Sequence, residues 1–336
     1  MAQKQKCTKD IYCQFLIAAQ SDYTATGLAD GMTSSNEPLA HDAVTRWQKY
    51  TKLTPSAIWQ DVEPLIEELG GKDSGWLVID DMTIEKNKSY KLPMSSWHWS
   101  GSAHGIVRGL NVVNLFWTGD GQEHIPVDFR LYAKKGDGMT RNQHMKDMLR
   151  LAQHRGFKPK AVVFDTWYSS VDNLNLITDL GWTWYCPIRA NRIVNYTQHL
   201  EELDIPKDGL IVHLKMVGPT RVFKFNSKDG DIEYWATNNL DATPDDISIA
   251  RAKRWSIEEF HRGLKQTVGI GKCQARNDRA QRNHICCCIR SFVVLEIYRL
   301  RSGISWYEAK RSIVRDAIRQ YLQRPQIPLP GCMVCA

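Results

Sequence analysis

The spacing of hydrophobic positions changes along the chain. Up to about residue 70 these positions recur at helical intervals, first over residues 11–17 and again over residues 58–69. Between residues 76 and 132 they form short runs separated by turn residues, which predict a meander of three strands over 76–81, 105–117 and 125–132. The chain is therefore expected to begin with helices and to continue into a sheet.

Beyond this meander the pattern alternates between helix and strand. The predicted elements are a helix over 141–154, a strand over 160–165, a helix over 171–180 and a strand over 182–188. Strand-like runs follow at 210–214, 221–225 and 232–238, then a helical stretch over 244–298 and an amphipathic helix over 306–322. The order predicts an α/β fold with a mixed sheet flanked by helices.

This order of elements also suggests how the chain is divided. We expect an N-terminal helical region (1–72), a core (73–189 and 241–300), a β-rich insertion (190–240) and a C-terminal helix with a tail (301–336).

The N-terminal region contains a short helix, a polar connection and a longer helix, an arrangement that suits a helix-turn-helix. The longer helix would offer a DNA groove the side chains of His41, Thr45, Arg46 and Lys49. A plain helical cap on the core fits the pattern equally well.

Composition places the chain among soluble globular proteins. Its 43% hydrophobic and 24% charged residues are near the average, and no run approaches the roughly 18 apolar residues of a membrane span. The N-terminus lacks the apolar run of a secretory signal. We therefore expect a cytoplasmic protein without a membrane partner.

The nine cysteines do not form a disulfide framework, because their number is odd and Cys286, Cys287 and Cys288 are adjacent. We expect buried thiols in a reducing compartment. Cys332 and Cys335 have the spacing of half a zinc knuckle, but no second Cys or His pair with ligand spacing accompanies them.

Positive charge is concentrated in one segment. The chain carries a net charge of +7, and residues 251–300 hold eleven Lys or Arg against four acids, an excess that accounts for the whole imbalance. Such a segment is typical of a surface that binds a phosphate backbone, although a solvated helix face has the same composition.

Two acids are placed where predicted strands end. Asp81 ends or follows the first strand, and Asp165 ends the strand after the first core helix. Carboxylates are costly to bury without a partner, and two of them on adjacent strands would create a site for Mg²⁺. Either acid alone could instead be a turn or a helix cap.

A third acid lies within a row of bases on one predicted helix. At 100° per residue one narrow face carries Arg251, Arg254, Glu258 and Lys265, and a core-facing stripe carries Ile257, Phe260 and Leu264. A surface salt-bridge ladder would look similar. Together with the two aspartates, however, the pattern predicts Glu258 as a third metal ligand flanked by phosphate-binding cations.

Residues 254–265 resemble the Tyr-Arg-Glu-Lys signature of DDE transposases from bacterial insertion sequences. Arg254, Glu258 and Lys265 match its Arg, Glu and Lys offsets, while Arg251 stands where the family has Tyr. Residues 78–83 resemble the first-Asp motif, in which Thr closely follows the catalytic Asp, so Asp81 is favoured over Asp80. Residues 163–168 resemble the second-Asp motif.

The resemblance implies a ribonuclease-H-like catalytic core that cleaves DNA and transfers strands during cut-and-paste transposition. It implies two Mg²⁺ ions, replaceable by Mn²⁺, held by Asp81, Asp165 and Glu258, and DNA contacts by Arg251, Arg254, Arg262 and Lys265. The partners would be double-stranded DNA with terminal inverted repeats, target DNA and a second copy of the chain, in a bacterial cytoplasm and close to the nucleoid.

Two other functions fit the same residues. A ribonuclease-H-like nuclease would use the three acids without strand transfer, and a catalytically inactive transposase-derived protein would bind DNA only. Within the insertion, Trp235 could stack on an unpaired base during DNA opening, although a buried core residue is the more common role of Trp.

Overall fold

The structure, a computed structural model, describes residues 7–33, 38–88, 90–101, 103–121, 123–133, 136, 138–226 and 230–324. The pair Cys332 and Cys335, considered above as half of a zinc knuckle, lies outside these residues. No described helix combines the length and apolarity that a membrane span requires.

The first 70 residues are helical, as the spacing of apolar positions predicts. The helices are α1 (Lys9–Ala18), α2 (Ala25–Gly31), α3 (His41–Tyr50) and α4 (Pro55–Glu68). Threonine side chains cap α1 and α2, because Thr8 accepts from the backbone N–H of Ile11 and Thr24 from that of Gly27. Helices α1, α3 and α4 pack against the later helix α8 (Asp278–Ser302).

Within the described residues, eleven strands join into one mixed sheet. They are β1 (Trp76–Glu85), β2 (Ser96–Ser100), β3 (Gly105–Thr118), β4 (Ile125–Tyr132), β5 (Ala161–Phe164), β6 (Trp184–Ile188), β7 (Ile193–Val194), β8 (Gln198–His199), β9 (Leu210–Leu214), β10 (Gly218–Asn226) and β11 (Ile232–Thr237). The spatial order is β2-β3-β1-β5-β6-β11-β10-β9-β7-β8, with β4 also paired to β3.

The centre of the sheet is parallel and its flanks are antiparallel. Strands β1, β5 and β6 run parallel, whereas β3 pairs antiparallel with β1, β2 and β4. The predicted three-strand meander is confirmed as β1, β3 and β4, and the sequence pattern missed β2 between them. Two helices, α5 (Arg141–His154) and α6 (Val171–Asp179), provide the crossovers between the parallel strands.

The strands predicted as an insertion continue this sheet. β11 pairs antiparallel with β6, with Tyr234 opposite Ile188 and Thr237 opposite Tyr185. Trp235 of β11 is fully buried in a small apolar cluster with Trp76 and Phe223. The stacking role considered for Trp235 is therefore wrong in this structure, because the ring is enclosed by the core and cannot reach a base.

The helical stretch predicted over 244–298 is two helices separated by the loop 268–277. The first, α7 (Pro244–Thr267), lies on β1, β3, β5 and β6, and the second is α8. The predicted core stripe of α7 is confirmed, since Ile257, Phe260 and Leu264 are fully buried. The adjacent cysteines of α8 are buried thiols, as expected.

A buried carboxylate joins the C-terminal helices to the sheet. Glu296 of α8 accepts hydrogen bonds from the backbone N–H of His124 (2.6 Å), from Nε of Arg299 (2.7 Å) and from Nε1 of Trp306 (2.7 Å), at the start of α9 (Trp306–Gln323). Burial by itself would raise the pKa of Glu296, but the hydrogen bonds from Arg299 and His124 outweigh it and lower the pKa to about 2.

We predict that Glu296→Gln lowers the free energy of unfolding by roughly 3 kcal/mol at neutral pH, because three donors lose a charged acceptor. A lowered folded-state pKa stabilises above the unfolded value of 4.5, and this contribution is lost as the pH falls towards about 2. Urea unfolding near pH 7 and near pH 3 should therefore show a difference between variant and wild type that shrinks in acid. Glu308→Gln on the exposed side of α9 is the control, and a difference independent of pH would contradict the assignment.

Candidate active site

Two aspartates lie side by side at the centre of the sheet. Strands β1 and β5 are parallel, and the last partners in their register are Ile79 and Phe164. The next residues are Asp80 on β1 and Asp165 immediately after β5, so the two acids occupy neighbouring positions on adjacent strands. Asp165 also accepts a hydrogen bond from the backbone N–H of Trp167 (3.3 Å), which starts a 3-10 turn.

The side chain of Asp80 lies on the α7 side of the sheet. Asp80 stands opposite Asn114 in the antiparallel ladder of β1 and β3, and opposed side chains share a face. The amide nitrogen of Asn114 lies 3.1 Å from Nε2 of His261 on α7. Burial, reinforced by the charge of Lys265, lowers the pKa of His261 to about 3, so this ring is neutral at physiological pH.

The electrostatic environment of Asp80 disfavours its charged form. Burial raises its pKa well above the ordinary value, and the carboxylates of Asp81 and Asp165 raise it further. The guanidinium of Arg254 acts in the opposite direction. Asp80 therefore belongs to a cluster of acids whose negative charge this chain neutralises incompletely.

Asp81 is on the opposite face and is fully engaged there. Its carboxylate accepts two hydrogen bonds from Nη1 of Arg141 (2.9 and 2.7 Å), one from the hydroxyl of Tyr168 (2.7 Å) and one from the amide of Asn111 (2.5 Å). Arg141 also lies over the ring of Trp167, 4.3 Å from its centroid. Asp81 thus links β1 to the start of α5 and to the turn that follows Asp165.

Arg254 connects Glu258 with the two aspartates. Its Nη2 forms an ion pair with Glu258 one helical turn later (3.1 Å), and its side chain lines a cleft of about 440 Å³ together with Asp165. Because Arg254 also lowers the pKa of Asp80, its charge lies among all three acids. The guanidinium of Arg254 therefore lies beside Glu258, on the face of α7 that the sequence predicted to bind a metal ion.

The other cations predicted to bind DNA differ in their surroundings. Arg251 is paired with Glu233 of β11 (2.9 Å), whereas Arg262 and Lys265 are exposed and have no ion-pair partner among the described residues. Of the four cations predicted to bind DNA, Arg251 and Arg254 are therefore neutralised by the chain itself, and the other two are available to a ligand.

The sequence of this chain matches the family described as "Transposase DDE domain" over residues 72–293. The chain belongs to this family of DDE transposases. Enzymes of the family use divalent metal ions, so the acids at the centre of the sheet are the part of this transposase to be tested for metal binding.

Solved structures agree with the fold. A piggyBac transposase synaptic complex with hairpin DNA is similar at 12% identity and a TM-score of 0.53, with 99% of this chain and 80% of that chain covered. This likeness confirms the α/β mixed-sheet fold and, at that identity, nothing more. A Drosophila P element transposase strand transfer complex matches at 11% identity over 96% and 88% of the two chains, with a TM-score of 0.28. No curated protein sequence matches the chain.

The donor set of the transposase fits a hard divalent cation. Asp80 and Asp165 are carboxylates at neighbouring positions of adjacent strands, and burial, followed by the charges of Asp81 and Asp165, raises the pKa of Asp80. Among the described residues no three His, Cys, Asp or Glu side chains are close enough together to hold a metal as they stand. Glu258, which is ion-paired with Arg254, would have to give up that pair to join Asp80 and Asp165 as a third carboxylate ligand.

The acids open into a cleft with an aromatic wall. The cleft has a volume of about 800 Å³, and Asp80, Asp81, Arg141 and Asp165 line it together with Trp97, Trp99 and Trp167. These three tryptophans are about half or more exposed. Trp97 and Trp99 were not predicted as site residues because β2 was not predicted, although the alternation in Ser96-Trp97-His98-Trp99-Ser100 is that of a half-buried strand.

We predict opposite effects on stability for the two adjacent aspartates in metal-free buffer. Asp80→Asn should leave the free energy of unfolding unchanged or raise it, because it removes a carboxylate that burial and the charges of Asp81 and Asp165 destabilise. Asp81→Asn should lower it by about 1–3 kcal/mol, because Arg141 and Tyr168 lose a charged acceptor. Urea unfolding in the presence of a chelator measures both. The reverse order of stabilities would show that the environments of the two acids are misassigned.

Proposed function

We propose that this transposase cuts DNA at the ends of an insertion sequence and joins the freed ends to target DNA. One observation carries the proposal. Asp80 and Asp165 are neighbours on adjacent parallel strands, beneath a helix that holds Glu258 in a row of cations. Family membership supports the same chemistry, because DDE domains are named for such an acid triad.

The metal ligands in this proposal are Asp80, Asp165 and Glu258. Asp81, which the motif resemblance favours as the first ligand, is held on the other face by Arg141, Tyr168 and Asn111, and becoming a ligand would break those contacts. Bound Mg²⁺ or Mn²⁺ would activate water and stabilise the leaving 3′ oxygen. Two ions are expected from the resemblance described above.

The protein's own residues have separate tasks. Arg254 neutralises part of the acid cluster, and if an ion took its place beside Glu258, its guanidinium would be free to contact a phosphate. Arg262 and Lys265 would bind the backbone of the DNA on either side. Asp81 acts as a positioning residue, since it fixes Arg141 and the turn after Asp165 rather than the ion itself. This division explains why two adjacent acids are needed on β1.

The DNA partner is double-stranded DNA carrying terminal inverted repeats, followed by target DNA. The basic face of α7 supports this, as does the similar piggyBac structure, which is a synaptic complex with hairpin DNA. A homodimer would bring two ends together.

The exposed face of α3, with His41, Thr45, Arg46 and Lys49, is available for recognising a repeat while Val44 and Gln48 pack inwards. A bacterial cytoplasm close to the nucleoid is the expected setting.

We predict that Mn²⁺ distinguishes the two adjacent aspartates without any assay of activity. An ion that binds only the folded state at a hundredfold excess over its Kd stabilises by about 2.7 kcal/mol, which is a rise in Tm of a few degrees. Wild type and Asp81→Asn should both show this rise in a thermal scan, and Asp80→Asn and Asp165→Asn should lose most of it. A rise retained in Asp80→Asn but lost in Asp81→Asn would make Asp81 the ligand.

We predict that Glu258→Gln lowers metal-dependent cleavage of DNA carrying the flanking repeat by about a thousandfold, equivalent to about 4 kcal/mol of transition-state stabilisation. The neighbouring substitution Glu259→Gln is the matched control and should retain most activity, because Glu259 contacts His124 (3.2 Å) rather than Arg254. Product analysis on a gel should show 3′-OH ends and joined products.

The same assay separates the two alternatives. Cleavage by the intact protein without any joined product would identify a nuclease that does not transfer strands. Binding without cleavage by the intact protein, with either metal, would identify an inactive DNA-binding protein derived from a transposase.

A further inference from the structure

A second positively charged surface lies beyond α7, the helix that carries Glu258. It is a groove of about 570 Å³ between the turn that follows β1 and the loop that joins α7 to α8. Four exposed cations line it, and we call this surface the basic groove: Lys88, Lys91, Lys272 and Arg276.

A buried lysine builds the basic groove by joining its two walls. Nζ of Lys86 donates to the carbonyl oxygens of Gly271 (2.8 Å) and Cys273 (2.6 Å), and the amide of Gln281 donates to those of Cys273 (3.2 Å) and Ala275 (2.6 Å). These hydrogen bonds tie the loop after α7 to the end of β1 and the start of α8. The cations are therefore presented from a fixed surface.

The charge of the basic groove is left without a partner. Within the described residues none of its four cations forms an ion pair, and no acid lines the groove. Helix α9 shows the contrast, because Arg311 and Arg315 both pair with Glu308, and Arg319 pairs with Asp316. Like charges held close together repel one another, so the groove is suited to a polyanion.

The basic groove is continuous with the exposed end of α7. A smaller cleft of about 280 Å³ adjoins it, and Lys265 of α7 and Lys272 line this cleft together with Thr83. Lys272 lines both cavities, so the row of cations begins at Lys265, about two turns along α7 from Glu258, and runs to Arg276, with Glu85 as the one acid lining the smaller cleft. The exposed Arg279 and Arg282 at the start of α8 extend it further.

We propose that the basic groove binds the phosphate backbone of double-stranded DNA that extends away from the cleavage site. This rests on the proposed function, since it assigns a path to the DNA whose end reaches the acids. Tyr90 is the one aromatic residue among the described residues of the groove, and Arg108 already lies over its ring. The groove therefore contacts phosphates through cations and does not stack on bases, and its binding is independent of sequence.

The test replaces the four cations of the basic groove by Gln, which keeps much of the aliphatic stem, and leaves Lys86 intact so that the loop stays anchored. Affinity for duplex DNA is measured by fluorescence anisotropy over a range of salt concentrations. If each cation neutralises one phosphate, the slope of log K against log salt should fall by about 3 to 4 and affinity at moderate salt by a hundredfold or more. A charge-keeping variant, in which the three lysines become Arg and Arg276 becomes Lys, should retain both the slope and the affinity of the wild type.

The matched control replaces Arg311, Arg315 and Arg319 of α9, which are already ion-paired, by Gln and should leave the slope unchanged. An unchanged slope in the groove variant, or an equal fall in the α9 variant, overturns the proposal. Tighter binding of double-stranded RNA than of DNA, lost in the groove variant, overturns the assignment to DNA.

Failure of the proposed function would look different. In that case the wild type would show no Mn²⁺-dependent rise in Tm. If the proposed function holds, both the wild type and the groove variant should show the full rise. Loss of that rise in the groove variant would show that the substitutions disturb the acids, and the groove would then have no separate role.

Discussion

The parallel pairing of β1 with β5 is the constraint on which the rest of the site depends. Its register places Asp80 and Asp165 next to each other at the centre of a sheet that is covered by α7 on that face. A carboxylate in such a place is costly to ionise, because burial, and then repulsion by Asp81 and Asp165, raise the pKa of Asp80. The fold tolerates this cost because apolar packing of β1, β5 and α7 fixes the backbone on both sides.

The remaining polar groups of the site are arranged around that repulsion. On the α7 face Arg254 supplies positive charge and holds Glu258 close by, and on the other face Asp81 is neutralised by Arg141. Adjacent residues of one strand thus meet opposite electrostatic environments. A strand is suited to this, because consecutive side chains point to opposite faces while their backbones remain equally rigid.

Buried polar residues hold the surrounding helices on the sheet. Glu296 receives donors from the loop before β4 and from α9, and Lys310 of α9 donates to the carbonyl oxygens of Ala19 (2.5 Å) and Thr267 (2.5 Å). Burial lowers the pKa of Lys310 to about 8, yet its partners are all acceptors. These contacts connect the first helices and α9 to the end of α7, and so fix the helix that carries Glu258.

The sequence by itself determined most of the helices and strands and the face of α7, because helix and strand periodicity are local properties. The buried stripe of Ile257, Phe260 and Leu264 and the position of Asp165 at a strand end could be predicted in this way. Only the tertiary structure decided which of Asp80 and Asp81 faces Asp165, since that depends on register between strands far apart in the chain. The burial of Trp235 could not be predicted either, because the residues that cover it belong to strand β6 and helix α7, which are distant in the sequence.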